Sequence, residues 1–366
     1  KNRGQRHFGV PCQYKGLRAL FLFPEMMVLH TEILQINDNS LNKAARLLSQ
    51  GKVVAFATET VYGLGGHALN EEAVYEIFAA KQRPADNPLI VHIDQKEQAL
   101  ALCSWNHVAE SLANAFWPGP LTLLLPKKSI VPDIITAGLP TVAIRLPSHP
   151  AAQALLKACG FPLAAPSANR SGRPSPTTAQ HVYEDLNGRI PLILDGGSCE
   201  VGLESTVLDL SGDIPTILRP GAVTAEQIAM VIGSCDVADS VMRPLLAGEH
   251  APSPGMRHRH YAPKGRLTLV SGDAEAAAGE ITRLYDTAKN ARILAMHANL
   301  PLYGDRLVSD LGSDAATAAH RLFYLLRAFD EQGVDQIFCE TLPASGLGLA
   351  VMNRLARAAE FNIINV

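Results

Sequence analysis

At 366 residues, 47% hydrophobic and 18% charged, the chain is a folded globular protein longer than one hydrophobic core normally serves, so two domains are expected. A formal net charge of −3 excludes a global attraction for nucleic acid or an anionic membrane and confines any polyanion contact to a local cluster of cations. Six cysteines lie far apart without a C-x-x-C pair, which argues against a zinc ribbon, a redox motif or a secreted disulfide framework and favours a reducing cytosol, and the longest apolar runs fall far short of the roughly 20 residues that cross a bilayer.

Residues 1–25 are basic, with Lys1, Arg3, Arg6, Lys15 and Arg18 and no acid until Glu25, and their short apolar patch does not make a signal h-region. They are expected to lie outside the fold and to be mobile, with an organelle presequence left open. From about residue 34 the pattern is mixed α/β. Apolar residues at helical spacing predict helices over 41–48, 71–80, 108–116, 151–159 and 179–186. Short apolar runs predict strands over 53–56, 89–93, 121–125, 141–145, 192–194, 206–209 and 216–218. Residues 243–265 carry Pro244, Pro252, Pro254 and Pro263 and read as a linker. Beyond it, strand and helix alternate over 267–270, 274–287, 292–295, 315–329, 336–340 and 347–359, the signature of a small doubly wound parallel sheet.

No G-x-x-x-x-G-K-[ST] loop is present, yet three stretches offer cations, hydroxyls and tight turns suited to a nucleotide's phosphates. Residues 58–65 end a strand with Thr58, Glu59, Thr60, Tyr62 and two glycines, a pattern that a plain β-turn also explains. Lys81 and Arg83 follow a helix and precede Pro84. They can compensate the negative end of the helix dipole or clamp a triphosphate, with Asn87 and His92 close behind. Residues 166–177 are too rich in turn formers to be a strand. They are either a surface loop whose Ser and Asn side chains cap amides or an anion-binding turn to which Arg170 or Arg173 adds charge. Arg219, at a strand end fixed by Pro220, forms a salt bridge or joins Lys81, Arg83 and Arg145 in one basic mouth.

With these motifs in order, the sequence resembles the YrdC-like threonylcarbamoyl-AMP synthase family in its long, two-domain form. The match covers 58–65, 81–88, 116–122, 167–177, 205–209, 218–221, 253–263 and 346–359. The resemblance implies a terminal extension (1–33), a twisted, open α/β catalytic domain with a basic concave face (34–235), a linker folding toward the active site (236–264) and a Rossmann-like parallel-sheet domain (265–366). It implies synthesis of L-threonylcarbamoyladenylate and pyrophosphate from L-threonine, bicarbonate or CO2, and ATP, with Mg2+ accompanying ATP and no protein metal site. The product would feed N6-threonylcarbamoyladenosine formation at position 37 of tRNAs reading codons that begin with A, through a downstream threonylcarbamoyl-transfer machinery. Direct tRNA binding is left undecided, and a cytoplasmic location is expected.

Carried over residue by residue, the resemblance implies that Thr60, His92, Arg145 and Ser205 hold L-threonine. It implies that Arg83, Asn87, Thr141, Ser167, Ser175, Arg219 and Tyr261 hold ATP, and it assigns catalysis to Lys81, Arg83 and Arg219. Three positions depart from the family pattern: Ala57, where Pro is usual, His67, where a small acid is frequent, and Ala165, where some members offer Ser to threonine. The rival reading is a non-catalytic double-stranded RNA-binding protein, which predicts strongly salt-dependent binding and no ATP turnover.

Overall fold

The computed structural model describes residues 29–244 and 261–366, and the expectations for residues 1–25 and for most of the linker fall outside the described residues. Among the described residues, sixteen strands build two sheets. The first contains β1 (Glu32–Gln35), β2 (Val54–Phe56), β3 (Gly63–His67), β4 (Ile90–His92), β5 (Leu121–Pro126), β6 (Thr141–Arg145), β7 (Leu163–Ala164), β8 (Leu192–Asp195), β9 (Thr206–Asp209), β10 (Thr216–Arg219) and β11 (Asp236–Val237). Its order is β1-β8-β2-β3-β7-β4-β6-β5-β9-β10-β11, with parallel and antiparallel pairs mixed.

Helices α1 (Asp38–Ser49), α2 (Glu71–Lys81), α3 (Lys96–Leu102), α4 (His107–Phe116), α5 (Asp133–Thr136), α6 (Pro150–Cys159), α7 (Ala179–Leu186) and α8 (Ala225–Ile232) accompany this sheet. Their starts are chemically marked. Asn37 and Ser40 form a reciprocal capping box on α1, and Asn70 accepts from Glu72 and Ala73 at the head of α2.

The sheet is wider than the sequence suggests. Glu32 and Ile33 already pair with β8, so the fold starts before residue 34, and Asp236–Val237, expected in the linker, forms an edge strand on β10. Strand β3 is another correction, because its glycines read as turn formers. Here they serve close packing: a Cβ on Gly65 would lie 2.9 Å from the Phe56 ring, and one on Gly66 would lie 3.0 Å from the Ala73 carbonyl of α2.

The second sheet is wholly parallel, in the order β14-β13-β15-β12-β16, from β12 (Arg266–Ser271), β13 (Ala291–Met296), β14 (Val308–Gly312), β15 (Gln336–Glu340) and β16 (Ile363–Asn365). Period-two alternation sends Leu267, Leu269, Leu294, Ile337 and Cys339 to a core shared with α10 (Ala315–Glu331) and α11 (Gly346–Ala358). Val270, Ile293, Ala295 and Phe338 go to the opposite core with α9 (Ala274–Thr287). Helices thus cover both faces, as a doubly wound sheet requires.

Helices α10 and α11 also dock onto the first domain through buried guanidinium groups. Arg327 bonds Asp185 Oδ2 at 2.7 Å and the Pro174 carbonyl at 2.6 Å, with side-chain exposures of 1% for Arg327 and 0% for Asp185. Gly202, at φ +79, approaches so closely that a Cβ would sit 2.6 Å from the Ala319 carbonyl oxygen. Losing one partner of a buried ion pair strands the other in a dry site, so Arg327→Met should lower stability by about 3–5 kcal/mol. Urea unfolding of the full chain measures this, and a loss under about 1 kcal/mol would mean that the pair behaves as a solvated one.

Candidate active site

The alternation that fills the core of the first domain also aims its chemistry. On β4, β5, β6 and β9 the residues Val91, Leu123, Val142, Ile144 and Leu208 enter the main core. The intervening Ile90, Leu124, Ala143 and Val207 floor the opposite face. His92 and Arg145 belong to that second set and are paired residues of the parallel strands β4 and β6, so they lie side by side at one end of it. The turn 58–62, the loop 165–167 and the segment 204–205 close around them to form one cavity.

At one wall Arg145 is held by carbonyl and hydroxyl oxygens. Its Nε donates to the Gly119 carbonyl at 3.2 Å and its Nη1 to Thr60 Oγ1 at 2.9 Å, while Nη2 pairs with Glu59 Oε1 at 2.7 Å. Thr58 Oγ1 donates to the Val61 carbonyl at 2.6 Å, so this turn both satisfies its own backbone and presents a hydroxyl to the cavity. Burial would raise the Glu59 carboxyl, but the Arg145 charge beside it holds it below the usual carboxylate range. Burial, reinforced by Arg145, pushes the His92 imidazole down to about 3, so His92 is neutral at physiological pH.

The other wall is made by Arg83, Arg219, Ser167, Ser205, Glu204 and Tyr261. Arg219 donates from Nε to the Ser205 carbonyl at 3.0 Å and from Nη2 to Ser205 Oγ at 3.1 Å, and Ser205 Oγ lies 2.7 Å from Thr122 Oγ1. Arg83 Nη2 donates to the Asn87 and Pro88 carbonyls at 3.1 and 3.3 Å. Burial lowers both guanidinium groups to about 10, which leaves them charged at neutral pH. Tyr261 stacks on Phe323 of α10, with ring centroids 5.3 Å apart. Arg354 of α11 donates to Glu204 Oε2 at 2.9 Å.

The structure therefore brings Thr60, Arg83, His92, Arg145, Ser167, Ser205, Arg219 and Tyr261 together, and leaves Lys81, Asn87, Thr141 and Ser175 outside the cavity wall. Lys81 departs furthest from the sequence expectation. Its buried ammonium donates to the Ser167 and Asn169 carbonyls and so organises the loop rather than facing the cavity. Burial, then the Arg83 charge, holds its pKa well below the usual lysine range. Ser175 donates its hydroxyl to Glu204 Oε1. Thr141 begins β6, on the strand face of Arg145 but at its far end. Asn87 is buried with neither side-chain amide atom bonded among the described residues.

Arg170 and Arg173, offered as phosphate ligands, turn elsewhere: Arg170 to Gln82, Arg173 to Asp185. Of the departing positions, Ala57 is core, His67 stacks on Phe161 at 4.0 Å, and Ala165 lines the cavity. The sequence reading gave no role to Glu59 or Glu204. The available signal was an acid set within an otherwise apolar or hydroxyl-rich run.

The family described as "Telomere recombination" matches residues 46–221, and "Threonylcarbamoyl-AMP synthase, C-terminal domain" matches residues 223–360. The chain is 46% identical to a threonylcarbamoyl-AMP synthase of Pyrococcus abyssi, covering 91% of this chain and 97% of that one. A synthase of the same name from Bacillus subtilis is also 46% identical, with the same coverage. The crystal structure of P. abyssi Sua5 complexed with L-threonine superposes with a TM-score of 0.85 at 44% identity, over 92% of this chain and 99% of that one.

The His92 environment has a pH consequence. Its folded pKa is depressed to about 3 from the ordinary imidazole value of 6.5. Between those values the unfolded imidazole takes up a proton that the folded one refuses, so stability falls as pH falls. The His92 contribution approaches about 1.4 kcal/mol per pH unit in that window. Unfolding measured from pH 7 to 4 on wild type and His92→Asn should show a shallower slope in the variant; parallel slopes would rule out a buried neutral imidazole.

Proposed function

This chain belongs to the two-domain threonylcarbamoyl-AMP synthase family and is a nucleotidyltransferase-type enzyme that makes threonylcarbamoyl-AMP, and we propose that it does so by holding L-threonine and ATP side by side in the cavity between Arg145 and Arg219. What carries this reading is the convergence of Arg83, Arg145 and Arg219 on one cavity with the hydroxyls of Thr60 and Ser205. A triphosphate and a carboxylate repel, and bringing them together needs fixed cations in a poorly solvated site.

In this reading Arg145 pairs the threonine carboxylate, with Thr60, neutral His92 and Ser205 around the amino acid. Arg83, Arg219, Ser167 and Tyr261 meet the nucleotide, and the unpaired amide of Asn87 is an unmet hydrogen-bonding capacity beside them. Lys81 acts through the loop it holds. The neutral threonine amine bonds to CO2 with release of one proton, or to bicarbonate with release of one water and no net proton, and either route gives the carbamate. A carbamate oxygen then attacks the α-phosphorus, and the bond to the bridging oxygen breaks with its electron pair leaving on pyrophosphate. The protein supplies positioning and charge stabilisation without a covalent intermediate.

Among the described residues there is no cluster of three His, Cys, Asp or Glu able to hold a metal, and Glu204 is already engaged by Ser175 and Arg354. Mg2+ accompanying ATP would add charge neutralisation at the phosphates. The adenylate is proposed to pass to a tRNA threonylcarbamoyl-transfer machinery for modification at position 37.

Incubating the chain with ATP, bicarbonate and individual amino acids should give pyrophosphate release that depends on threonine. Salt-sensitive RNA binding without such release would favour the RNA-holding alternative. Arg219→Ala should lower kcat/KM by about 2–4 kcal/mol of transition-state stabilisation, the range for one preorganised donor. An unchanged kcat/KM would remove Arg219 from the phosphate site.

A further inference from the structure

We infer that Arg354, from the second domain, is a positioning residue for adenylation: it holds the Glu204 carboxylate and the Arg219 loop so that the cavity presents cations, and no uncompensated anion, to the nucleotide. The inference rests on the proposed role of Arg219.

Glu204 is the one carboxylate among the described residues that line the cavity, beside Arg83, Arg145 and Arg219. An ionised carboxylate there repels ATP and competes for the guanidinium groups meant for its phosphates. Both of its oxygens are taken: Oε1 accepts from Ser175 Oγ, and Oε2 accepts from Arg354 Nε at 2.9 Å.

Arg354 has 0% exposure and bridges the Arg219–Pro220 and Glu204–Ser205 segments. Its Nη1 donates to the Pro220 carbonyl at 2.8 Å, next to Arg219, and its Nη2 to the Glu204 carbonyl at 3.3 Å, next to Ser205. Nη1 also donates to Asn353 Oδ1 at 2.8 Å, and the guanidinium carbon lies 5.7 Å from the Tyr261 ring centroid. The loop also packs tightly on the 204–206 segment, where a Cβ on Gly221 would sit 2.4 Å from the Thr206 nitrogen. Burial alone would raise the Glu204 carboxyl, yet the charges of Arg354 and then Arg219 hold it below the ordinary carboxylate range. One side chain thus neutralises the acid and fixes the carbonyl beside each of two proposed ligand contacts.

A stranded Glu204 charge acts mainly on the polyanionic substrate, because threonine is a zwitterion of zero net charge. In full-length Arg354→Met, threonine-dependent pyrophosphate release should show an ATP KM raised about tenfold and a threonine KM changed by less than about threefold. Adding Glu204→Gln removes the stranded charge and should bring the ATP KM back to within about threefold of wild type, which loss of packing alone would not do. Arg354→Lys keeps the charge but loses the fork, and should raise the ATP KM by an intermediate factor. If Arg354→Met does not fold, Arg354→Lys and the double variant carry the test. An inactive wild type would overturn the parent reading. With an active wild type, an unchanged ATP KM in the folded variants, or equal rises in both KM values without recovery in the double variant, would overturn the role given to Arg354.

Discussion

The constraint on which this molecule turns is that Arg83, Arg145 and Arg219 line one hollow, with Arg145 and Arg219 buried. Like charges in a poor dielectric repel, and each guanidinium also loses its hydration. The fold answers with oxygen atoms. Carbonyls of Gly119, Asn87, Pro88 and Ser205 accept from the three groups, and Glu59 lies against Arg145. Most of these neutralisers are backbone oxygens, so they do not titrate and leave the donors ready for an incoming anion. The strands supply the aim, the turns and loops supply the oxygens, and the electrostatic work is completed before any substrate arrives.

The second domain takes part in the same arrangement. Its parallel sheet packs a core on each face, but α10 and α11 spend part of their surface on the first domain, where Arg327 and Arg354 reach Asp185 and Glu204. Asp185 also receives Arg173 from the loop that carries Ser167 and Asn169. Glu204 and Asp185 are therefore tied up by cations that do not line the hollow, whereas Glu59 pairs with Arg145, which does.

Much of this was legible in the sequence. Alternating apolar runs gave β4, β5, β6, β9 and β10, and with them the placement of His92, Arg145 and Arg219 at strand ends. Ordered motifs indicated the chemistry. The contacts of Lys81 are not legible locally, because a cation at a helix exit before a proline turn looks the same whether its ammonium meets phosphate or the carbonyls of a loop about 86 residues further on. Strand β3 was missed because glycine marks turns locally, whereas here it admits the Phe56 ring and α2. Arg327 and Arg354 carried no local signal: a cation in a helix normally snorkels to water, and only the facing domain makes burial tolerable.

Gly202 meets the backbone of α10 without room for a side chain, and Arg327 and Arg354 enter the first domain from α10 and α11. The domains are therefore joined as a mould and its cast rather than as beads on a string. Prising them apart would leave Glu204 without its Arg354 partner in a basin built to attract phosphate, so a severed first domain would be a poorer trap for its nucleotide even with every strand intact.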